Sequence, residues 1–531
     1  MSESVTMPIR SPFSHRPVVM GDKGIVVAGH HRAAEAGAMI LRAGGNAIDA
    51  AVATAATLAI AIPFMNGLGG DCFALYARSR DDITAINGSG AVPRAASVEE
   101  FHRRGVMTMP LRGPLTVSVP GFVAAIGEAA ERFGTLPLPQ LLEPAIALAE
   151  KGIPIDTAAA AFFNGPVYAS LVSDFPMLAE MFGAAGRRSL GERLKQPAAA
   201  ATLRKLATDG WRAFYDGPLS RAWLSAAREA GVLLDHDDLA EHRTEFARPL
   251  SVRWRGRTVC AAPPNSQGIA LLAMLAFLEA QPDAPPRDGS DPLIDPVAHL
   301  RYKTQAFEIR DAYCADPRRV AMPSDLLAAH RLAPILEGTR VETRAGGGDT
   351  STFVLIDAEG RSVSWVQSLF EEYGSGVACP DQGIVLQNRA ALERLDQNPI
   401  RGLKGGYRPF HTLCPALVVG PEGELTAIAT PGDHGQPQTL ALVLRRHFEQ
   451  GLDIQAAIEW PRLRHDSGSE VMLEDRCPSS WDLLLRAAGY STRRVGAWSR
   501  LMGGVNAIAR RSDGLMMGGA DPRRSSYTLP V

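Results

Sequence analysis

Gly346-Gly347-Gly348-Asp349-Thr350-Ser351-Thr352-Phe353-Val354-Leu355-Ile356-Asp357 is the stretch on which the reading of this 531-residue chain turns. Consecutive glycines hold neither a helix nor a strand well, so the backbone before Asp349 is expected to be a loose, exposed loop. The Phe-Val-Leu-Ile run that follows has the aromatic and β-branched character of a strand. Thr350 therefore stands where a flexible segment meets a rigid one. A cut between Asp349 and Thr350 would leave the strand presenting a threonine with a hydroxyl and a free α-amine, a nucleophile together with its own general base. The same residues also read as a plain turn joining two elements, and the choice rests on the remainder of the chain.

Around this stretch, Phe353 to Asp357 and Ser362 to Ser368 read as a hairpin turning at Ala358-Glu359-Gly360-Arg361. Toward the N-terminus, Gly24 to Ala28, Cys72 to Ala77 and Ile83 to Ile86 read as strands, and Arg32 to Ala43 and Ala47 to Ile62 as helices. The region from about 120 to 245 is patterned as a helical insertion. Val252 to Val259 reads as a strand, Ile269 to Glu279 and His299 to Cys314 as helices, and Gln281 to Pro296 as an irregular proline-rich connection. Pro323 to Arg344 approaches the glycines with weak patterning. Strands at Gly383 to Gln387, Ala416 to Gly420 and Leu425 to Ala429 precede a helix at Leu440 to Gln450. The fold class is thus mixed α/β, with sheets covered by helices.

Composition excludes several function classes. With 55 Lys+Arg against 57 Asp+Glu the net charge is −2, which offers no footprint for nucleic acid or for an anionic membrane. The first thirty residues lack an apolar segment of signal-peptide length, so a cytoplasmic location is expected. Asn46 to Ile62 is the most apolar stretch, but Asp49 interrupts it and Pro63 ends it, which suits a buried alanine-rich helix better than a membrane span. The six cysteines show no CxxC spacing and read as buried free thiols. There is no GxSxG elbow, no P-loop and no HExxH, and His30-His31 and His465 lack ligand-spaced partners, so neither cofactor nor metal is expected.

What remains is a set of glycine-rich turns in a particular order: Gly44-Gly45-Asn46-Ala47-Ile48-Asp49-Ala50-Ala51, Asn66-Gly67-Leu68-Gly69-Gly70-Asp71, Pro263-Pro264-Asn265-Ser266-Gln267-Gly268, Asp349-Thr350-Ser351-Thr352, Gly374-Ser375-Gly376, Arg408-Pro409-Phe410, Pro431-Gly432 and Asp521-Pro522-Arg523. Together they resemble the γ-glutamyltransferase (glutathione hydrolase) family of N-terminal-nucleophile hydrolases, over nearly the whole chain from about Gly24 to Ser526. The resemblance implies a four-layer αββα sandwich and a proenzyme that cuts itself between Asp349 and Thr350. The products would be a large fragment, 1–349, and a small one, 350–531, staying together; a dimer of such heterodimers is one assembly open to them. Thr350 would attack a substrate amide and form an acyl-threonine, resolved by water or an amine. Ser368 corresponds to the hydroxyl that hydrogen-bonds the nucleophile, and Gly432 and Asp433 to the glycine pair whose N–H groups form the oxyanion hole, with Asp433 departing from glycine.

Other departures concern the substrate. The arginine that grips the α-carboxylate of a γ-glutamyl group is replaced by Asn87-Gly88-Ser89-Gly90, and the acidic group for its α-amine is missing, since Arg389-Ala390-Ala391-Leu392 follows Gln387-Asn388. His411-Thr412 replaces the paired serines, and the loop from Asn388 to Pro409 looks shortened. Ser89, Asn388, Arg389, His411 and Thr412 are the expected substrate-binding residues, with Arg389 as a replacement carboxylate clamp or, alternatively, half of a structural ion pair. The resulting expectation is an amidohydrolase or acyltransferase for a small acidic or acyl amide, similar to the branch that includes oxamate amidohydrolase-type enzymes and, in its motifs, cephalosporin acylases. A true glutathione hydrolase or transpeptidase, and an inactive binding or structural homologue, are the competing readings.

Overall fold

The computed structural model describes residues 15–280, 291–328 and 349–531. The glycines before Asp349, the connection 281–290 and most of the approach to Arg344 lie outside the described residues.

Two seven-stranded sheets, antiparallel at every described pairing, form the centre. The first runs, in spatial order, Tyr527–Pro530, Gly24–Ala28, Asp349–Asp357, Ser362–Phe370, Asp71–Ala77, Ile83–Gly88 and Glu245–Ala247. The second runs Val19–Gly21, Met516–Ala520, Asn506–Arg510, Leu425–Ala429, Ala416–Val419, Arg257–Ala261 and Leu250–Trp254.

Side-chain alternation explains why these strands are apolar on both faces. Val354 and Ile356 join Ile25, Val27, Phe73 and Val366 in the layer between the sheets, where they meet Leu417, Ala427 and Ile508 of the second sheet. Phe353 and Leu355 point the other way, into a core with the helices His31–Arg42 and Ala47–Ala61. The helices Gly268–Ala280, Pro296–Tyr313 and Gln436–Phe448 cover the outer face of the second sheet through Val259, Ala416, Val418 and Ile428. The layers are therefore α, β, β, α. The capping box of Asn46 and Asp49 fixes the start of the fully buried Ala47–Ala61 helix.

Residues between 122 and 240 are mainly helical, as the apolar spacing indicates. The single strand expected at Val252 to Val259 is instead a hairpin, Leu250–Trp254 and Arg257–Ala261, because Arg255 (φ 49°) and Gly256 (φ 75°) both take left-handed conformations that reverse the chain. The strand expected over Gly383 to Gln387 shrinks to Ile384–Val385. A small sheet of Leu463–Arg464, Glu470–Leu473 and Ser491–Arg494 has no counterpart in the expectations. All six cysteines are free and buried.

Candidate active site

Thr350 lies near the start of the strand Asp349–Asp357, where the register slips between Asp349 and Ser351. On one side the strand is paired with Ser362–Phe370 along its length. On the other, Gly24–Ala28 pairs only from Phe353 onward, and the last contact is the Gly29 N–H to the Thr352 carbonyl at 3.0 Å. Thr350 thus sits at an opening in a central strand. Its hydroxyl donates to Ser368 Oγ at 3.5 Å, and that oxygen also accepts the Phe370 N–H at 2.7 Å, which holds the serine in place. Asn506 of the second sheet donates to Thr352 Oγ1 at 2.8 Å and pins the strand two residues further on.

The turn Asn66 to Asp71 packs under this end. Asn66 Nδ2 donates to Ser351 Oγ at 3.0 Å, and its Oδ1 accepts from Gln367 Nε2 at 2.6 Å. Gly70 must be glycine for reasons of space: a Cβ there would come within 2.7 Å of the Ser368 carbonyl oxygen. Asp71 then pairs in register with Ser368.

Asp71 is buried and its carboxylate engages two neighbouring side chains. Its carboxylate accepts from Arg389 Nε and Nη2, both at 3.3 Å, and lies 2.6 Å from His411 Nε2. Burial alone would raise the Asp71 pKa, but Arg389 and His411 outweigh it and hold the carboxyl below its ordinary value. Burial and Arg389 push His411 down to about 4, so its imidazole is neutral and Nε2 carries the proton given to Asp71. Arg389 also donates to Thr412 Oγ1 at 3.1 Å, and its guanidinium lies 4.7 Å from the Phe370 ring centroid. Arg389 is therefore fully buried against Asp71. The arrangement is that of an ion pair whose fork already faces a carboxylate.

The chain leaves Leu425–Ala429 through Pro431, and Gly432 (φ 121°) and Asp433 (φ 52°) both adopt positive φ. Gln267 ties this turn to the preceding cluster, since its side-chain amide donates to the Thr412 carbonyl and, at 2.8 Å, to the Asp433 carbonyl. The Asp433 carboxyl is buried and neither oxygen meets a hydrogen-bond partner among the described residues. Burial pushes its pKa up to about 8, so the group is largely protonated at neutral pH.

A cavity of about 420 Å³ opens at Thr350. Ser351, Thr352, Pro431, Gly504 and Asn506 share its wall, together with Phe64, Phe162, Arg500 and Arg524. Of the expected site residues only Thr350 is in that wall; Ser368, Arg389, His411, Thr412, Gly432 and Asp433 are not part of it, nor are Ser89, which donates to Asn87 Oδ1 at 2.6 Å, and Asn388, which bridges the Leu111 carbonyl at 2.7 Å and the Glu371 N–H at 3.1 Å. Asp71, Asn66 and Gln267 occur in the glycine-turn motifs but were not expected as site residues; their positions next to charged or hydroxyl groups come only from the fold. Among the described residues no cluster of three or more His, Cys, Asp or Glu could hold a metal, and no helix is long and apolar enough to cross a membrane.

The family model described as gamma-glutamyltranspeptidase matches residues 33–531. The chain belongs to the gamma-glutamyltranspeptidase family. Among the relatives of this gamma-glutamyltranspeptidase-family chain, the glutathione hydrolase-like YwrD proenzyme of Bacillus subtilis (strain 168) is 35% identical over 97% of this chain and 99% of its own. The oxamate amidohydrolase proenzyme of Klebsiella pneumoniae is 36% identical over 94% of this chain and 97% of its own. Among solved structures, a cephalosporin acylase from Bacillus halodurans superimposes with a TM-score of 0.88 at 30% identity, covering 100% of this chain and 99% of that one. The chain is therefore an enzyme of the N-terminal-nucleophile hydrolase and acyltransferase kind, with the fold of that group, and several of its relatives are named as proenzymes.

Proposed function

We propose that this protein is an autoprocessing amidohydrolase or acyltransferase for a small amide that carries a carboxylate, with Thr350 as nucleophile. One observation carries the reading: the Thr350 hydroxyl, 3.5 Å from Ser368 Oγ, stands at an opening of a central strand and in the wall of the cavity.

In processing, the Thr350 hydroxyl adds to the Asp349 carbonyl carbon and the C–N bond of that peptide breaks. The acyl group passes to oxygen, and water hydrolyses the ester to leave a carboxylate at Asp349 and a free amine at Thr350. The fragments 1–349 and 350–531 remain in one sandwich because the strand Asp349–Asp357 is bracketed by strands from both fragments. In turnover the amine takes the hydroxyl proton as oxygen attacks the substrate carbonyl, then returns it to the leaving nitrogen. Ser368 supports the nucleophile, and the N–H groups of Gly432 and Asp433 receive the tetrahedral oxyanion. Water, or an acceptor amine, then releases the acyl group.

The substrate class is supported by the relative named for oxamate, the monoamide of a dicarboxylic acid. It is also supported by the absence of arginine from Asn87-Gly88-Ser89-Gly90 and of an acid from Arg389-Ala390-Ala391-Leu392, which leaves a γ-glutamyl group without its two family anchors.

The test is a denaturing gel, N-terminal sequencing and an amide panel. The wild type should give two fragments, the smaller starting at Thr350, and a substrate acyl group should appear by mass on that fragment. Thr350→Ala should stay intact and inactive. A wild type that stays whole after prolonged incubation sinks the proposal, and rapid cleavage of a γ-glutamyl anilide with none of the acid amides would replace it by a glutathione hydrolase.

A further inference from the structure

A cut before Thr350 turns the middle of a strand into a chain end. Ends are where strands fray, and here the end carries the amine that serves as base. Among the described pairings, Gly24–Ala28 reaches this strand only from Phe353 onward. On the other flank Ser351 pairs with Gln367, but the ladder slips between Asp349 and Ser351, at Thr350 itself. The pairing above the slip, Asp349 with Phe370, passes to the large fragment once the peptide is broken.

Side chains strengthen what the ladder leaves thin. Asn66 Nδ2 donates to Ser351 Oγ at 3.0 Å, and to the carbonyls of Ile62 at 3.0 Å and Leu58 at 3.3 Å, where the helix Ala47–Ala61 ends. Asn66 Oδ1 accepts from Gln367 Nε2 at 2.6 Å, and that same amide donates to the Ala55 carbonyl at 3.1 Å. Backbone carbonyls can only accept, so they fix which way both amides point and leave Nδ2 as the donor to Ser351. Because Gln367 is also the ladder partner of Ser351, the three residues close a ring, and all three side chains are buried. The Leu369 N–H donates to the Met65 carbonyl at 2.8 Å, which holds the backbone beside Asn66 against the strand that carries Ser368. Capping the helix needs only the Ile62 and Leu58 bonds. The bond to Ser351 is the one that crosses from the large fragment to the nucleophile's neighbour, and it does so on the helix side of the sheet, while Thr350 meets Ser368.

We propose that Asn66 and Ser351 form a latch between the two fragments that holds the amino end of the small one, keeping the Thr350 amine and hydroxyl in place for each turnover. Both are positioning residues that act through the strand. The inference rests on the proposed processing and amide chemistry at Thr350 and deepens it. In the precursor Thr350 is tethered by the chain on both sides; after the cut it is tethered on one, so the latch matters most in the mature enzyme and for kcat, leaving KM alone.

The experiment compares wild type, Ser351→Ala, Ser351→Thr and Asn66→Ala as full chains allowed to process. Fragments, thermal midpoints, and kcat and KM on oxamate, succinamate and a γ-glutamyl anilide are measured. A second readout is the rate at which periodate oxidises the amino end of the small fragment, followed by mass. Periodate breaks the Cα–Cβ bond of a terminal threonine: acetaldehyde and ammonia leave, a glyoxylyl group remains, and periodate is reduced to iodate. The rate therefore reports how freely the amine and hydroxyl leave their places. Ser351→Ala should mature, lose roughly 10- to 100-fold in kcat with KM unchanged, and oxidise faster than wild type. Ser351→Thr, which keeps the oxygen, should stay near wild type in both. Asn66→Ala should follow Ser351→Ala; if loss of the helix cap stops it from maturing, the Ser351 variants decide. A mature Ser351→Ala with wild-type kcat and oxidation rate overturns the latch, even if its midpoint is lower, and so does a Ser351→Thr as poor as Ser351→Ala. If wild type is cut before Thr350 yet hydrolyses no amide, the amidohydrolase reading fails while the oxidation rates still judge the latch. A wild type that is never cut overturns both.

Discussion

Asp71 lies directly across the sheet from Ser368, and its carboxylate is shared between Arg389 and His411. A buried ion pair of this kind adds little net stability while intact, yet removing one member strands the other. Asp71→Asn leaves the Arg389 guanidinium, which is fully buried, facing a neutral amide. The variant should lose about 3–5 kcal/mol, seen as a lowered thermal midpoint. Autoprocessing should slow as well, because the strand carrying Ser368 loses its fixed neighbour. A midpoint within a degree of wild type would mean that the pair holds nothing in place.

Several histidines are buried and uncharged: His30 and His411 titrate at about 4, and His242 and His299 at about 3, with burial as the largest cause in each. The unfolded chain binds protons at these positions below about pH 6.5 and the folded chain does not. Stability should therefore fall as pH drops from about 6.5 toward 4, by as much as about 1.4 kcal/mol per pH unit for each group. Asp71 and Asp521 are held below the ordinary carboxylate value, and their contribution fades only further down, as pH passes below the unfolded carboxylate range toward their folded values. Thermal midpoints taken every half unit should show the histidine slope first; a flat profile down to pH 4.5 would contradict it.

Asp433 combines two costs, a non-glycine residue at φ 52° and a buried carboxyl without a partner among the described residues. Its folded pKa of about 8 lies above the unfolded value, so the native state binds the extra proton and loses stability as pH rises from about 4 to 8. Asp433→Gly removes both costs and keeps the backbone N–H. The variant should be more stable than wild type, by about 1–3 kcal/mol from the backbone term alone, with a gain that grows between pH 5 and pH 8. Equal midpoints at both pH values would show that the carboxyl is satisfied in solution.

Sheets covered by helices were legible because buried strands and helices have distinct periods: Phe353 to Asp357 is apolar on both faces, while Arg32 to Ala43 shows a helical stripe; the four-layer αββα order came from the family resemblance. The glycine turns placed Thr350, Ser368 and Gly432 in chain order without giving their contacts. Arg389 could not be judged from sequence, since nothing near it in the chain announces that Asp71, 318 residues earlier, will face it. The hairpin at Arg255-Gly256 was missed because an arginine gives no hint of a left-handed conformation.

Gly70 tests how tightly Ser368, the partner of the proposed nucleophile Thr350, is held. Its backbone is not in the left-handed region, so alanine there is not opposed by φ; the obstacle is the Ser368 carbonyl oxygen, 2.7 Å from where the new methyl would sit. That oxygen belongs to the backbone of a strand paired on both sides, which cannot swing away as a flexible side chain could. Gly70→Ala should therefore displace Ser368 and lengthen its contact with Thr350, at an overpacking cost of about 1–3 kcal/mol. The fold should survive with an unchanged circular dichroism spectrum, while appearance of the fragment beginning at Thr350 slows at least tenfold. Processing at the wild-type rate in a folded Gly70→Ala protein would show that the Ser368 hydroxyl does not set the reactivity of Thr350.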